Sequence, residues 1–130
     1  MNIIIKDGLP IVALKIRIGH QSTLLSNVLL DTGCAASVFD TDELKKIGLP
    51  LDYTAGQAVR MYGIGGQSEW CYEQTIPSIF INMHEFKELK LQLGPIKSIY
   101  GFDGIIGNDI IMKIGMVIDF RQLKISGIPS

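Results

Sequence analysis

The sequence predicts an all-β fold, and three observations carry that prediction. Isoleucine and glycine are the commonest residues of the chain. Turn-forming residues recur about every ten positions, the spacing of short strands joined by tight turns. The clearest periodic segment, IVALKIRI at 11–18, alternates with the two-residue period of a strand. In it Val12, Leu14, Ile16 and Ile18 share one face, while Ile11, Ala13, Lys15 and Arg17 share the other.

The remaining elements follow in order. GHQS (19–22) predicts a hairpin loop, and TLLSNVLL (23–30) the returning strand, which delivers the chain to Asp31. SVF (37–39) predicts a short strand. TDELKKIG (41–48) predicts a helix of about two turns: Asp40 or Thr41 can cap it, acids fill its first turn and lysines its last, and Gly48 closes it before Pro50. GQAVRMYGIGGQSEWCYEQT (56–75) predicts two strands around a glycine-rich tip. Residues 76–93 predict a second hairpin turning at Asn82-Met83-His84, and 94–101 reads as a loop. DGIIGNDIIMKIG (103–115) predicts a short apolar strand and a short helix, and MVIDF (116–120) with LKIS (123–126) a closing hairpin.

Composition narrows the function. The 130 residues suggest one domain, 1–130, and 47% hydrophobic against 19% charged residues excludes a disordered chain. A formal net charge of −1 without a basic run argues against a nucleic-acid partner. No apolar stretch approaches the roughly 20 residues of a membrane-spanning helix, so no membrane partner is expected. The opening MNIIIKDGLP is too soon interrupted for a signal peptide, so a cytoplasmic protein is expected. Cys34 and Cys71 are then expected to be free thiols. No Cys/His set has zinc-ligand spacing, and neither a metal nor a cofactor is expected. Cys34 with a distant His20 or His84 is weak support for a nucleophilic pair.

Three features carry chemistry: LLDTG at 29–33, a hairpin tipped by Gly63-Ile64-Gly65-Gly66, and DGIIG at 103–107 leading into a helix. Each alone is unspecific. An Asp after a strand is an ordinary turn residue, and GIGG an ordinary hairpin tip. Neither glycine cluster fits the G-x-G-x-x-G of a dinucleotide site. Together and in this order, LLDTG, RMYGIGGQSEW and FDGIIGNDII resemble the retropepsin-like (retroviral-type, single-domain) aspartic proteases, over about Ile11 to Ile125.

The resemblance implies a closed acid-protease β-barrel or sandwich with one or two short helices, working as a homodimer on polypeptide substrates. It implies that Asp31 is catalytic, its partner being the same residue of a second copy. Thr32 would bond across the dimer axis, and Gly33 would leave room for substrate. Tyr62, Gly63, Ile64, Gly65 and Gly66 would form a flap over an extended peptide. Ile105 and Ile106 would support the catalytic loop and line a side-chain pocket, although plain core is an equal reading of both. The apolar terminal segments MNIIIK and LKISGIP would pair between chains.

The sequence departs from the family pattern at Cys34, where Ala or Ser is usual, and at Ala35 and Asn108, where retroviral members often carry an acid paired with an arginine. Asp103 reads as a turn or cap residue, and the charges of the 40s as a solvated helix face. Two other readings stay open: a catalytically silent peptide-binding or dimerisation module of the same fold, and a small barrel for a hydrophobic ligand.

Overall fold

The computed structural model describes residues 1–49, 56–62 and 68–127. Its elements, in chain order, are β1 (Ile4–Lys6), β2 (Leu9–Ile18), β3 (Gln21–Leu30), β4 (Val38–Asp40), α1 (Thr41–Lys45), β5 (Gln57–Tyr62), β6 (Ser68–Ile81), β7 (His84–Gly94), α2 (Ile96–Tyr100), β8 (Gly104–Ile106), α3 (Asn108–Ile114), β9 (Val117–Asp119) and β10 (Lys124–Ser126). The expected all-β class is what the structure shows. No helix among the described residues is long and apolar enough to cross a membrane.

Eight strands form one sheet in the order β1-β2-β3-β8-β4-β7-β6-β5, and an added β2–β6 pairing closes the middle six into a ring. The closure is local: Ile16 and Arg17 pair with Ile81 and Phe80, beyond the stretches where β1 lies on β2 and β5 on β6. Inside the ring lies one large apolar cluster, including Leu14, Ile16, Leu25, Val28, Phe39, Ile79, Leu91 and Ile106. A smaller cluster of Val38, Cys71, Ile96 and Ile105 packs with Leu29 and Val59. Neighbours along β3 (Leu29, Leu30) and along β8 (Ile105, Ile106) thus fall into different clusters, as the pleat requires.

The alternation predicted for 11–18 holds with one irregularity. Ile11 and Val12 are both buried, because the β2–β3 register shifts between Val12 and Leu14. Two elements were not anticipated. β1 forms a hairpin with β2 through Asp7-Gly8, both at positive φ, a turn whose twist suits the flanking strands. α2 occupies the stretch read as a loop. It starts after Pro95 and stops at Gly101, a left-handed C-cap whose N–H donates to the Lys97 carbonyl. The chain therefore has three short helices among the described residues, one more than expected.

Of the charges of the 40s, Asp42, Lys45 and Lys46 lie on the solvated face that the sequence suggested, but Asp40 and Glu43 do not. Asp40 (3% exposed) caps α1 by accepting from the Glu43 N–H, and its other oxygen accepts from the Lys97 N–H. Glu43 (6% exposed) accepts from Lys46 Nζ at 2.9 Å and Lys97 Nζ at 2.7 Å. Lys97 also pairs with buried Asp103 at 3.2 Å, and Asp103 in turn accepts from the Asn27 N–H. A two-turn helix cannot shield its own acids; the later segment around α2 buries them and supplies the compensating cation.

The terminal segments pair with each other within one chain rather than standing free. The Ile3 N–H donates to the Leu123 carbonyl, the Ile125 N–H donates to the Met1 carbonyl, and the Met1 ammonium donates to the Ile125 carbonyl.

Candidate active site

β3, β8 and β4 build the platform. β8 lies between the other two, parallel to β3 and antiparallel to β4. A segment from late in the sequence is thereby wedged into the loop that joins two earlier strands. That loop is Asp31 to Ser37. Its first residue is held at the end of β3 by the Asp31 N–H donating to the Ile106 carbonyl at 2.9 Å.

Within the loop the Gly33 N–H donates to Asp31 Oδ1 at 2.9 Å, and the Cys34 N–H to the Asp31 carbonyl at 3.2 Å. The turn folds back on the carboxylate and orients it. A Cβ at Gly33 would lie 3.2 Å from Asp31 Oδ1, so a side chain here would crowd the group the turn presents. Asp31 is half-buried, while Thr32 and Gly33 are exposed. The single protomer therefore offers one oriented carboxylate on an accessible loop.

The helix after β8 fastens this loop from outside. The Asn108 N–H donates to the Cys34 carbonyl at 2.8 Å, and Asn108 Nδ2 to the Thr32 carbonyl at 2.8 Å. The position where the retroviral pattern carries an arginine thus pins the loop through a neutral amide bonded to backbone, and Ala35 needs no acid to match it. Asp109 completes the clasp. Its carboxylate accepts from the Ser37 N–H at 3.0 Å and from Ser37 Oγ at 2.6 Å, while also accepting from the Ile110 N–H. Ser37 Oγ accepts from the Gly107 N–H at 2.8 Å. At Gly107 a Cβ would fall 2.6 Å from the Cys34 carbonyl oxygen, so only glycine lets the two loops approach this closely.

Cys34 does not serve the carboxylate. Its Sγ donates to the Ala36 carbonyl at 3.0 Å. Burial, the largest cause, holds the thiol above its ordinary pKa, and the nearby Asp31 and Asp109 charges add to the rise. The neutral thiol that results is a poor nucleophile.

Ile105 and Ile106 sit on β8 beside Leu29 and Leu30. Ile106 points into the main core at 1% exposure, and Ile105 into the smaller cluster at 8%. Tyr62 ends β5, paired in backbone register with Ser68. Gly63, Ile64, Gly65 and Gly66 lie outside the described residues. The sequence reading assigned no role to Ser37, to Asp109 or to the Asn108 side chain. The available signal was spacing: a hydroxyl six residues after Asp31, and an amide and an acid at the start of the helix that follows the late glycine.

The family model for retroviral aspartyl protease matches residues 8–119, a span that contains the carboxylate loop, β8 and α3. The chain belongs to that family. No curated protein matches it. Membership of the retroviral aspartyl protease family accounts for the paired use of an early Asp-Thr-Gly turn and a late strand-glycine-helix unit, which the ring brings into contact.

Proposed function

We propose that the protein is an aspartic endopeptidase of the retroviral type, comprising a single domain over 1–130 and acting as a homodimer in which two copies of Asp31 form the catalytic dyad. The observation that carries this reading is the orientation of Asp31 by Gly33, on a loop clasped by Asn108 and Asp109. A loop clasped this firmly, with its accessible carboxylate aimed by its own turn, suits a reacting group better than a plain turn residue.

One carboxylate cannot both take a proton from water and give one to a substrate carbonyl. Two, held close across a two-fold axis, can. Like charges at that separation do not both ionise easily, so the pair shares one proton. The ionised carboxylate draws a proton from a bound water as the water attacks the peptide carbon. The protonated one donates to the carbonyl oxygen. Collapse of the tetrahedral intermediate returns a proton to the leaving nitrogen and breaks the C–N bond. Water attacks directly, and no covalent enzyme intermediate forms.

Thr32 would hold the two loops together across the axis. Tyr62 and Gly63 to Gly66 would close over an extended peptide, with Ile105 facing its side chains. The test is Asp31→Asn, assayed with extended apolar peptides at acidic to neutral pH. Asparagine keeps the shape but cannot exchange the proton, so cleavage should vanish while the fold remains. Equal cleavage by parent and variant would mean that Asp31 is a turn residue and reject the aspartic protease reading, whereas no cleavage by either would favour the silent module.

A further inference from the structure

We infer that the cleft between β2 and the β6–β7 turn binds an acidic segment of extended peptide, at a site separate from the carboxylate loop. On the protease reading above, that segment belongs to the substrate and recruits it; the binding itself does not depend on that reading.

The cleft is built at the seam that closes the ring. Arg17 lies opposite Phe80 in the β2–β6 register, and the contact runs on into the turn. There the Asn82 N–H donates to the Lys15 carbonyl at 2.7 Å, and the Lys15 N–H donates to Asn82 Oδ1 at 3.0 Å. Asn82 holds a φ of 54°, a left-handed conformation that asparagine tolerates in turns. Backbone and side chain together staple the turn to the strand, and a cleft of about 390 Å³ remains, lined by Lys15, Arg17, Phe80, Asn82 and Met83. Leu24, the cross-strand partner of Lys15, lies near the start of β3, and Asp31 follows its end. At strand spacing this sets the cleft roughly 20 Å from the carboxylate loop.

Charge selects the occupant. Lys15 and Arg17 project from one face of β2, their Cα atoms about 7 Å apart. The Arg17 guanidinium lies over the Phe80 ring at 3.9 Å and donates through Nη1 to the Gly19 carbonyl at 2.7 Å. Ring and carbonyl hold it in place and leave further N–H groups to fork onto a carboxylate. Among the described residues neither cation forms an ion pair; the pairs formed are those of Lys46 and Lys97. Glu85, the acid in register with Phe80, accepts from Ser78 Oγ at 2.8 Å, on the side away from Asn82. The chain has a formal net charge of −1, so two cations without acids reflect local placement and not an excess of basic residues.

An extended peptide matches this spacing. Its side chains repeat direction every second residue, so acids at i and i+2 meet Lys15 and Arg17 at the same separation. Apolar surface flanks the cations: Met83 is 68% exposed, Leu24 is 65% exposed, and Phe80 is half-buried. A large apolar residue at the next position facing the same way covers it. A compact anion such as phosphate reaches the cations but leaves that surface in water.

The probe is a fluorescein-labelled peptide, Gly-Ser-Asp-Ser-Asp-Ser-Leu-Ser-Gly, beside a counterpart with Asn for both Asp. Fluorescence anisotropy at low salt measures binding to the parent, Lys15→Glu, Arg17→Glu and, as a control for net charge, Lys6→Glu. Backbone amide shifts locate the contact. We expect the acidic peptide to bind the parent and Lys6→Glu alike. Each reversal in the cleft should weaken it about tenfold, because an attraction is lost and a repulsion gained. The Asn peptide should bind about tenfold more weakly, with shifts confined to 15–17 and 80–83. Lys15 is exposed, so Lys15→Glu tests the site even where Arg17→Glu disturbs the packing on Phe80. No binding by the parent, equal binding of the two peptides, equal weakening by Lys6→Glu, or shifts around Asp31 instead of the cleft overturns the site. Displacement of the peptide by equimolar inorganic phosphate, or co-sedimentation with phosphatidylserine vesicles that Lys15→Glu abolishes while the peptide does not bind, overturns the peptide as occupant. All of these outcomes are read without cleavage, so they leave the assignment of Asp31 to its own test.

Discussion

Replacing Asp109 with alanine removes the group that ties the carboxylate loop to α3, and its consequence can be worked from the contacts. Three donors lose their acceptor: the Ser37 N–H, Ser37 Oγ and the Ile110 N–H. Ser37 is 1% exposed, so its N–H has no water to turn to. An unsatisfied buried donor costs about 1–3 kcal/mol. Ser37 Oγ still accepts from the Gly107 N–H, and Asp109 is only half-buried, which lets water reach the Ile110 N–H. The net expectation is a loss of about 2–4 kcal/mol for Asp109→Ala. Asp109→Asn keeps a carbonyl oxygen for Ser37 and should cost about 1 kcal/mol, the difference between a charged and a neutral acceptor. Urea unfolding of the three proteins measures both numbers. In a peptide-cleavage assay the alanine variant should lose kcat more than KM, because the loop's aim changes while the peptide groove does not. An alanine variant within about 0.5 kcal/mol of the parent would refute the clasp, as would an asparagine variant as damaged as the alanine one.

Further predictions concern the surrounding supports. Lys97 and Lys46 hold Glu43 below the ordinary glutamate pKa, the Lys97 hydrogen bond leading and burial opposing. A carboxylate depressed in the folded state stabilises above its unfolded pKa, and that contribution is lost as pH falls through the folded value. Urea midpoints of the parent and Glu43→Gln should therefore differ most near neutrality and draw together as pH falls from about 4, near the unfolded glutamate value, through the lower folded value. A gap that stays constant down to pH 3 would contradict the linkage. Gly107→Ala should lower stability by a few kcal/mol (~2–4) and displace the Cys34–Ala36 backbone, since its Cβ meets a carbonyl oxygen rather than a flexible side chain. Thermal unfolding unchanged in that variant would show that the close approach is not required.

Much of the architecture could be read from local sequence because its signals are local. The alternation of 11–18, the Asn82 turn at positive φ and the glycine that closes α3 each act within a few residues. Asp31 was legible because its motif is contiguous. What escaped depends on separated parts. The burial of Glu43 needs Lys97, 54 positions away, and the role of Asp109 needs Ser37, 72 positions away. No periodicity joins such residues; the parallel pairing of β4 with β7 brings Lys97 to Glu43, and the insertion of β8 between β3 and β4 brings Asp109 to Ser37. β1 and α2 are a different case, since Asp7-Gly8 and the Pro95–Gly101 frame were visible. Their flanking runs were too short for periodicity to register, and tertiary packing stabilises them. The termini are a similar case: apolar ends reveal that they will pair, but not with what, and within one chain they pair with each other.

The central claim is that catalysis needs Asp31 from two chains, and mixing parent with Asp31→Asn chains at fixed total concentration tests it most directly. The chains are mixed above the dimer dissociation constant, left to exchange, and assayed for peptide cleavage. If each site takes one Asp31 from either chain, activity should follow the square of the parent fraction, so an equal mixture retains about one quarter. A linear fall, with about one half retained, would mean that each chain cleaves by itself and would contradict the shared dyad.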